Sequence, residues 1–376
     1  PGPEAQQLAI WMGWKLHGLK GGLAAGLLFV IPGALVILAL SVLYGFAAQL
    51  DWFAALFLGI KAAVLAIVVQ ALLRVAGRAL NTNFKRAIAA AAFIALFALE
   101  APFPLVLLTA GLLGALAAAL RPDWLALKPV SDAPLLVERP WRQSFAAIAG
   151  FGVLWAAPLL LIALTLGQHH VFWQIGLFFS KLAVVTFGGA YAVLAYMAQQ
   201  AVQNYHWLSA GEMADGLGLA ETTPGPLIMV TQFVGYLAAF RAPAPFTPLI
   251  AGLLGAALTT WVTFAPCFMW IFALAPWMDR LERSPRLKGA LAAITAAVVG
   301  VIANLSLWFA LHVLFKAGQR VALGPLGLEV PLLASIDWRA ALLAAIAALL
   351  IFRFRWSIIR VLALSAVGGL LLSAVT

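Results

Sequence analysis

The sequence predicts an all-α polytopic membrane protein made of two inverted-topology repeats with broken helices. The chain of 376 residues is 65% hydrophobic and only 10% charged, with a mean hydropathy of +1.04, whereas soluble domains carry roughly 25% charged residues. Many of its apolar runs reach the length of about 20 residues that a helix needs to cross a bilayer. A Pro-Gly-Pro motif also occurs twice, each time ahead of a short apolar segment.

Composition excludes several classes of function. The net charge of +10 does not indicate a nucleic-acid partner, because the cations cluster in short loops, where Lys and Arg set membrane orientation. The single cysteine, Cys267, allows neither a disulfide framework nor a thiolate metal site. The sequence contains no His-Glu-x-x-His, Gly-x-Ser-x-Gly or Walker motif, so we expect no enzymatic activity, cofactor or metal.

The apolar runs predict about 12 membrane spans in these 376 residues. The long runs are Leu23–Ala48, Phe53–Leu73, Pro102–Leu120, Phe145–Leu166, Val171–Ala198, Phe246–Trp277, Ala290–Phe315 and Trp356–Thr376. Shorter runs, which we interpret as half-helices, tilted pairs or buried segments, are Ala5–Trp14, Ala87–Leu99, Leu227–Phe240 and Ala340–Phe352.

The Pro-Gly-Pro motif at residues 1–3 recurs at residues 224–226. Such a run cannot lie inside a regular helix, because it removes backbone donors and disfavours the α region before each proline. A proline does fit the first turn of a helix. Each copy therefore predicts a helix that begins within the hydrophobic layer.

Features that follow the two motifs come in the same order, which predicts an internal repeat. Pro32 lies eleven residues past Gly21, and Pro266 lies eleven residues past Gly255. The second motif is preceded by elements that the first lacks, so we expect roughly 45–50 residues of the first repeat to be missing. The predicted units are a first repeat at 1–120, a cytoplasmic linker at 121–144, a linker transmembrane helix at 145–166 and a second repeat at 167–376.

Loop charges predict the orientation. One loop carries four cations and no acid, namely Arg74, Arg78, Lys85 and Arg86, and by the positive-inside rule it is cytoplasmic. We count membrane crossings from this loop and treat Val171–Ala198 as one crossing. The count places Asp51 and Glu100 outside the cell and Arg280 in the cytoplasm. Equivalent loops of the two halves then lie on opposite sides, which is the inverted arrangement of many secondary transporters.

Transporters of this architecture bind substrate near the midplane, where half-helix N-termini face anionic groups. We therefore expect the two Pro-Gly-Pro segments to bind an oxyanion through free backbone N–H groups. The predicted substrate-binding residues are Pro1, Gly2, Pro3 and Gln6 in the first repeat, and Lys181, Thr186, Gly188, Gly189, Pro224, Gly225, Pro226 and Gln232 in the second.

Several charged residues have a second interpretation. Lys181 lies about ten residues into a 28-residue apolar run, where an ammonium is costly and usually functional, although it can also snorkel to the interface. Lys61 is assigned to snorkelling or to a structural ion pair. Glu4 and Glu221 are candidates for proton coupling, with helix capping the alternative for Glu4. Solvated loop charge is the alternative for Glu221 and our interpretation of Asp215.

These motifs resemble the chromate ion transporter (CHR) family, in its long two-domain type and truncated at the N-terminus. The resemblance covers nearly the whole chain and is carried by Pro1-Gly2-Pro3-Glu4-Ala5-Gln6-Gln7-Leu8-Ala9, Pro224-Gly225-Pro226, Phe187-Gly188-Gly189 and the glycine-spaced approaches to Pro32 and Pro266. It departs at Ala190, where the family motif has proline, and the Phe-Gly-Gly-Pro motif of the first half would precede residue 1.

The resemblance implies two homologous halves of opposite orientation and export of chromate from the bacterial cytoplasm, driven by membrane potential or a proton gradient. It therefore predicts a multi-pass transporter of the bacterial inner membrane that confers chromate resistance. Uptake of sulfate or another oxyanion is an alternative, and a non-transporting membrane scaffold is an alternative of another class. The expected partners are chromate or sulfate and the lipid bilayer. No nucleic-acid partner is expected, and a homodimer is one possible oligomeric state.

Overall fold

The computed structural model describes residues 3–127, 141–186, 190–223, 225–281, 283–323 and 326–374, and these are almost entirely helical. The all-α prediction is thereby confirmed. The helices are α1 (Pro3–Ala47), α2 (Asp51–Ala79), α3 (Asn83–Phe97), α4 (Phe103–Leu120), α5 (Trp141–Thr165), α6 (Val171–Val185), α7 (Ala190–Gln199), α8 (Ala210–Thr222), α9 (Val230–Arg241), α10 (Pro248–Leu274), α11 (Met278–Leu281), α12 (Pro285–Leu314), α13 (Trp338–Phe352) and α14 (Ile358–Ala374).

Six of the described helical segments are long and apolar enough to cross a membrane: α1, α2, α4, α5, α12 and α10 with its continuation to Trp277. Helices α6, α9, α13 and α14 are apolar but shorter. The surface of these helices carries many exposed leucines, such as Leu160, Leu161 and Leu164 on α5. A bilayer would cover such a surface, so the chain is an integral membrane protein.

Each half contains a short arm folded back on a long helix. Helix α1 bends sharply at Gly18, which adopts a φ of 59°. Its two arms then pack so closely that a Cβ on Gly13 would overlap the carbonyl oxygen of Gly21. Helices α9 and α10 form the equivalent hairpin, in which a Cβ on Gly235 would crowd Thr259 and the Gly255 carbonyl.

Helices α2 and α12 occupy equivalent positions in the two halves, and each packs against helices of the other half. Helix α2 packs against α13 and α14, whereas α12 packs against α3 and α4. Glycines let the backbones meet at both crossings: Gly59 lies against α14 beside Gly369, and Gly289 lies against Gly114 of α4. This exchange gives the fold an approximate two-fold relation between its halves.

The two hairpins open toward opposite sides of the layer. We call the side where α1 ends and α2 begins the Asp51 face, and the side where α2 ends the Arg78 face. The long arm of α1 ends at the Asp51 face, so its bend at Gly18 lies at the Arg78 face. The Phe240 ring near the end of α9 packs edge-on against Phe46, 5.6 Å away near the end of α1. The α9–α10 connection therefore lies at the Asp51 face, and the two repeats have inverted topology.

Val171–Ala198 was predicted to be a single crossing, and this prediction is wrong. The run is divided between α6 and α7, and both outer ends approach the α9–α10 connection. His170 Nε2 lies 2.7 Å from the Ala244 carbonyl oxygen, and Arg241 donates a 2.7 Å hydrogen bond to the Trp207 carbonyl. Helix α6 rises only about 22 Å, less than the roughly 30 Å of a hydrocarbon core. The chain therefore enters the layer and returns to the Asp51 face.

The sequence reasoning also missed a small β-hairpin between α12 and α13. Strands β1 (Gly318–Leu323) and β2 (Leu326–Pro331) pair antiparallel, with Gly318 opposite Pro331. The connection between α2 and α3, at the equivalent place in the first half, is only a short turn.

Gly59→Ala is expected to destabilise the protein by ~1–3 kcal/mol, the usual penalty for overpacking a tight site. The added methyl group would overlap the Ser365 carbonyl and push α2 away from α14. Gly77→Ala is the matched control on the same helix, because nothing lies within 4 Å of a Cβ there. Denaturant unfolding in detergent measures both variants, and equal stabilities would contradict the proposed crossing.

Candidate functional site

The second Pro-Gly-Pro motif lies against the middle of α1. Gly225 has a φ of 145°, which an L side chain rarely adopts, and a Cβ added there would lie 3.2 Å from the Cα of Gly33. Pro226 precedes a 3-10 turn, Leu227–Met229, that continues directly into α9. Pro224 lies outside the described residues. The break therefore faces the Pro32–Gly33 step of the other repeat.

The first motif approaches the corresponding step of α10. Pro3 is buried at the start of α1, and Gln7 Nε2 lies 3.8 Å from Cys267 Sγ, next to Pro266. Pro1 and Gly2 lie outside the described residues. Each short arm therefore begins beside the proline step of the opposite repeat.

Both short arms reach the centre of the layer. The arm of α1 before Gly18 and helix α9 each rise about 20 Å from their own face, within a core of roughly 30 Å. In the described part of the structure, the amides of Leu227 and Ile228 donate no hydrogen bond, as is usual in the first turn of a helix. The prediction that these N–H groups bind an anion stays a prediction.

The two predicted glutamines differ in what they contact. Gln232 is buried, and its Nε2 donates a 3.0 Å hydrogen bond to the Ala34 carbonyl, which ties α9 to α1. Gln6 is fully buried, and neither its Nε2 nor its Oε1 has a partner among the described residues. A buried amide without partners is costly. Gln6 therefore has free amide donors, whereas Gln232 already uses one as a structural tether.

The end of α6 and the start of α7 flank a further predicted break. Thr186 ends α6, and its hydroxyl donates to the Leu182 carbonyl at 2.6 Å. The hydroxyl proton is thus used within α6, and a substrate role for Thr186 stays a prediction. Gly188 and Gly189 lie outside the described residues. Beyond them, Tyr191 donates a 2.5 Å hydrogen bond to Glu221 at the end of α8. Glu221 is thus half-buried and bound to Tyr191, so the loop-charge interpretation is wrong.

Lys181 lines a cavity of about 1130 Å³. Its side chain is exposed and makes no hydrogen bond or salt bridge with any described residue. Carboxamides dominate the polar part of the lining, and Glu100 of the α3–α4 turn also contributes; the amides belong to Gln199, Gln200, Gln203, Asn204 and Asn304. The lining includes the α3–α4 turn and the end of α7, so the cavity lies toward the Asp51 face.

A buried ion pair was missed by the sequence analysis. Asp215 was interpreted as a solvated loop charge, but it is only 4% exposed. Its Oδ1 lies 3.2 Å from Lys61 Nζ, and its Oδ2 accepts a 2.6 Å hydrogen bond from the Tyr44 hydroxyl. The ion-pair alternative for Lys61 is thereby confirmed. A lone lysine eight residues into an apolar span was the signal for an acidic partner, because buried charges are paired.

Glu4 and Arg241 have peripheral positions. Glu4 lies in the first turn of α1 with an exposed side chain, as expected of a carboxylate near a helix N-terminus. Arg241 at the end of α9 forms a salt bridge with Glu212, whose carboxylate also completes a capping box with Ser209 at the start of α8. These contacts hold α8 and α9 together at the Asp51 face.

Sequence comparison identifies the family. The family model described as "Chromate transporter" matches residues 1–115 and 173–370, which is most of the chain. The chain belongs to the chromate transporter family. The unmatched interval between the two segments contains α5, the helix that has almost no buried side chain.

Relatives in this family come from several bacteria. The transporter is 32% identical to the chromate transport protein of Pseudomonas aeruginosa over 80% of this chain and 67% of that protein. It is 27% identical to the chromate transport protein of Cupriavidus metallidurans, over 80% and 68%. It is 26% identical to a probable chromate transport protein of Synechococcus elongatus, over 81% and 70%. No solved structure matches the chain.

Proposed function

We propose that this transporter exports chromate from the cytoplasm across the bacterial inner membrane and so confers chromate resistance. The observation that carries the proposal is the placement of two half-helix N-termini, one from each face, beside the proline steps of the opposite repeats, at Gly33 and at Cys267. Both positive dipole ends point into one central layer, which suits a dianion without requiring a buried cation. Relatives named as chromate transport proteins support this choice of substrate.

The direction of export follows from charge. The Arg78 face carries Arg74, Arg78, Lys85 and Arg86, together with Lys15 and Lys20 beside the bend of α1, so we place it in the cytoplasm. A membrane potential that is negative inside favours outward movement of anions by about 2.3 kcal/mol per charge per 100 mV. A dianion therefore leaves the cell with a large electrical driving force.

Chromate flux into everted vesicles or proteoliposomes tests this function, with sulfate as a competitor of equal charge and similar shape. We expect saturable chromate uptake into everted vesicles that is accelerated by an interior-positive potential. Sulfate flux that exceeds chromate flux would favour the sulfate alternative. Flux equal to that of vesicles without the protein would contradict transport and favour a scaffold.

Lys181→Ala is expected to raise the chromate concentration at half-maximal flux by roughly tenfold, the effect of ~1.4 kcal/mol. The ammonium is the cation of the cavity that has no salt bridge among the described residues, and it attracts anions into the cavity. Lys181→Arg keeps the charge and should remain close to wild type. Lys20→Ala, which removes an exposed cation at the other face, is the matched control. Unchanged half-saturation in Lys181→Ala would refute this role.

A further inference from the structure

The Lys61–Asp215–Tyr44 cluster contains none of the residues that we assign to oxyanion binding. It joins three helices within the layer: Tyr44 from α1, Lys61 from α2 and Asp215 from α8. An ionisable residue at this depth is costly and is commonly part of a proton or ion pathway. Gly211 leaves space for the lysine ammonium, because any larger residue there would place its Cβ only 3.3 Å from Lys61 Nζ.

Helix α8 connects the cluster to the substrate site. It begins at Ala210 on the Asp51 face and ends at Thr222, immediately before the second Pro-Gly-Pro motif. Its end is also bound to α7 by the hydrogen bond between Tyr191 and Glu221. A change in how Asp215 is held is therefore transmitted along one short helix to the break that faces Gly33.

Packing of the repeat does not require this charge. Gly59 and Gly289 make equivalent crossings in the two halves, and the same offset aligns Val68 with Val298. It places Leu291 of α12 opposite Lys61, and Leu291 is an apolar residue that is 45% exposed. Helix α12 therefore packs with a leucine at the position where α2 has Lys61. Because packing alone does not require a lysine there, we infer that Lys61 has another role.

Few other charges act on Asp215. Glu212, one turn earlier on α8, is bound to Arg241 of α9. Helices α12 and α14 and the turn Leu227–Met229 also pack against α8, but within the described residues they make no hydrogen bond or salt bridge with Asp215. The protonation of Asp215 is therefore governed mainly by Lys61 and Tyr44.

We propose that Asp215, with Lys61 as its counter-ion, is the proton-binding site that couples oxyanion export to proton entry; this rests on the proposed transport function. While the carboxylate is ionised, the salt bridge holds α8 against α2 and fixes the break at its end. The proton comes from water on the Asp51 face, where α8 begins at Ala210, five residues before Asp215. It forms an O–H bond on Asp215, removes the counter-ion of Lys61 and releases α8. Loss of that proton to the cytoplasmic side restores the salt bridge.

The test compares two fluxes of the same protein in proteoliposomes. Chromate exchange at equal concentrations on both sides measures transport without a driving force. Uphill chromate accumulation under a pH gradient, with the membrane potential clamped at zero, measures coupling to protons. The double variant Lys61→Gln/Asp215→Asn replaces the ion pair by neutral hydrogen-bonding groups of similar size, and Glu212→Gln is the matched control on the same helix.

We expect the double variant to exchange chromate within about threefold of wild type and to lose pH-driven accumulation, whereas Glu212→Gln keeps both. Accumulation by the double variant at the wild-type level would overturn the proposal, and so would loss of both fluxes in folded protein. If wild type itself shows neither flux, the proposed transport function fails instead.

Tyr44→Phe is a second test that keeps the ion pair. It removes the hydrogen bond that stabilises the ionised carboxylate, so protonation becomes easier. The pH at half-maximal driven flux should rise, by roughly one unit. An unchanged pH profile would also overturn the proposal.

Discussion

Lys61→Met is expected to destabilise the protein by about 3 kcal/mol, at the lower end of the range for breaking a buried ion pair because Lys61 is partly exposed. The methionine would fill most of the lysine volume, but the Asp215 carboxylate would remain almost fully buried, and among the described residues only the Tyr44 hydroxyl would be its partner. Denaturant unfolding in detergent measures the loss.

A double-mutant cycle separates the charge from the packing. Adding Asp215→Leu to Lys61→Met removes the stranded carboxylate, so we expect the double variant to regain much of the lost stability. Apolar replacement of a whole buried pair is often neutral. The cycle also needs the single variant Asp215→Leu. If the double variant loses as much stability as the two single variants together, Lys61 and Asp215 do not interact.

Gly225→Ala is expected to abolish chromate flux while leaving the protein in the membrane. The φ of 145° is accessible to glycine almost alone, and a non-glycine residue in such a region costs ~1–3 kcal/mol. The added methyl group would also press on Gly33 at 3.2 Å. Both effects displace the start of α9, which we propose binds the oxyanion.

Gly167→Ala controls for backbone strain alone. Gly167 lies between α5 and α6, has a φ of 85°, and has nothing within 4 Å of an added Cβ. This variant should lose stability and retain flux. Flux in Gly225→Ala equal to that of Gly167→Ala would refute a binding role for the second Pro-Gly-Pro motif.

The sequence was most informative where covalent constraints decide the structure. A Pro-Gly-Pro run cannot lie inside a regular helix, so both motifs predicted the starts of short arms. The paired spacing of Gly21 to Pro32 and of Gly255 to Pro266 likewise predicted that the same long helix occurs in both halves. Loop cations supplied the inverted orientation.

Tertiary contacts decided what the sequence could not. The run Val171–Ala198 is long enough for one span, and only the contacts of His170 and Arg241 show that it turns back. Helix α8 has three acids and several glycines, a composition typical of a solvated segment, yet Asp215 faces α2. The hydroxyl of Thr186 also bonds its own helix, which no spacing rule predicts.

Sidedness of the two hairpins tests the inverted arrangement most directly. Replacing Cys267, the only cysteine, by serine provides a background for single cysteines at Lys20, beside the bend of α1, and at Ala242, in the α9–α10 connection. Both positions are exposed. A membrane-impermeant maleimide should label Lys20→Cys only in inverted vesicles and Ala242→Cys only in right-side-out vesicles. Labelling of both cysteines from the same side would contradict two half-helices that enter the layer from opposite faces.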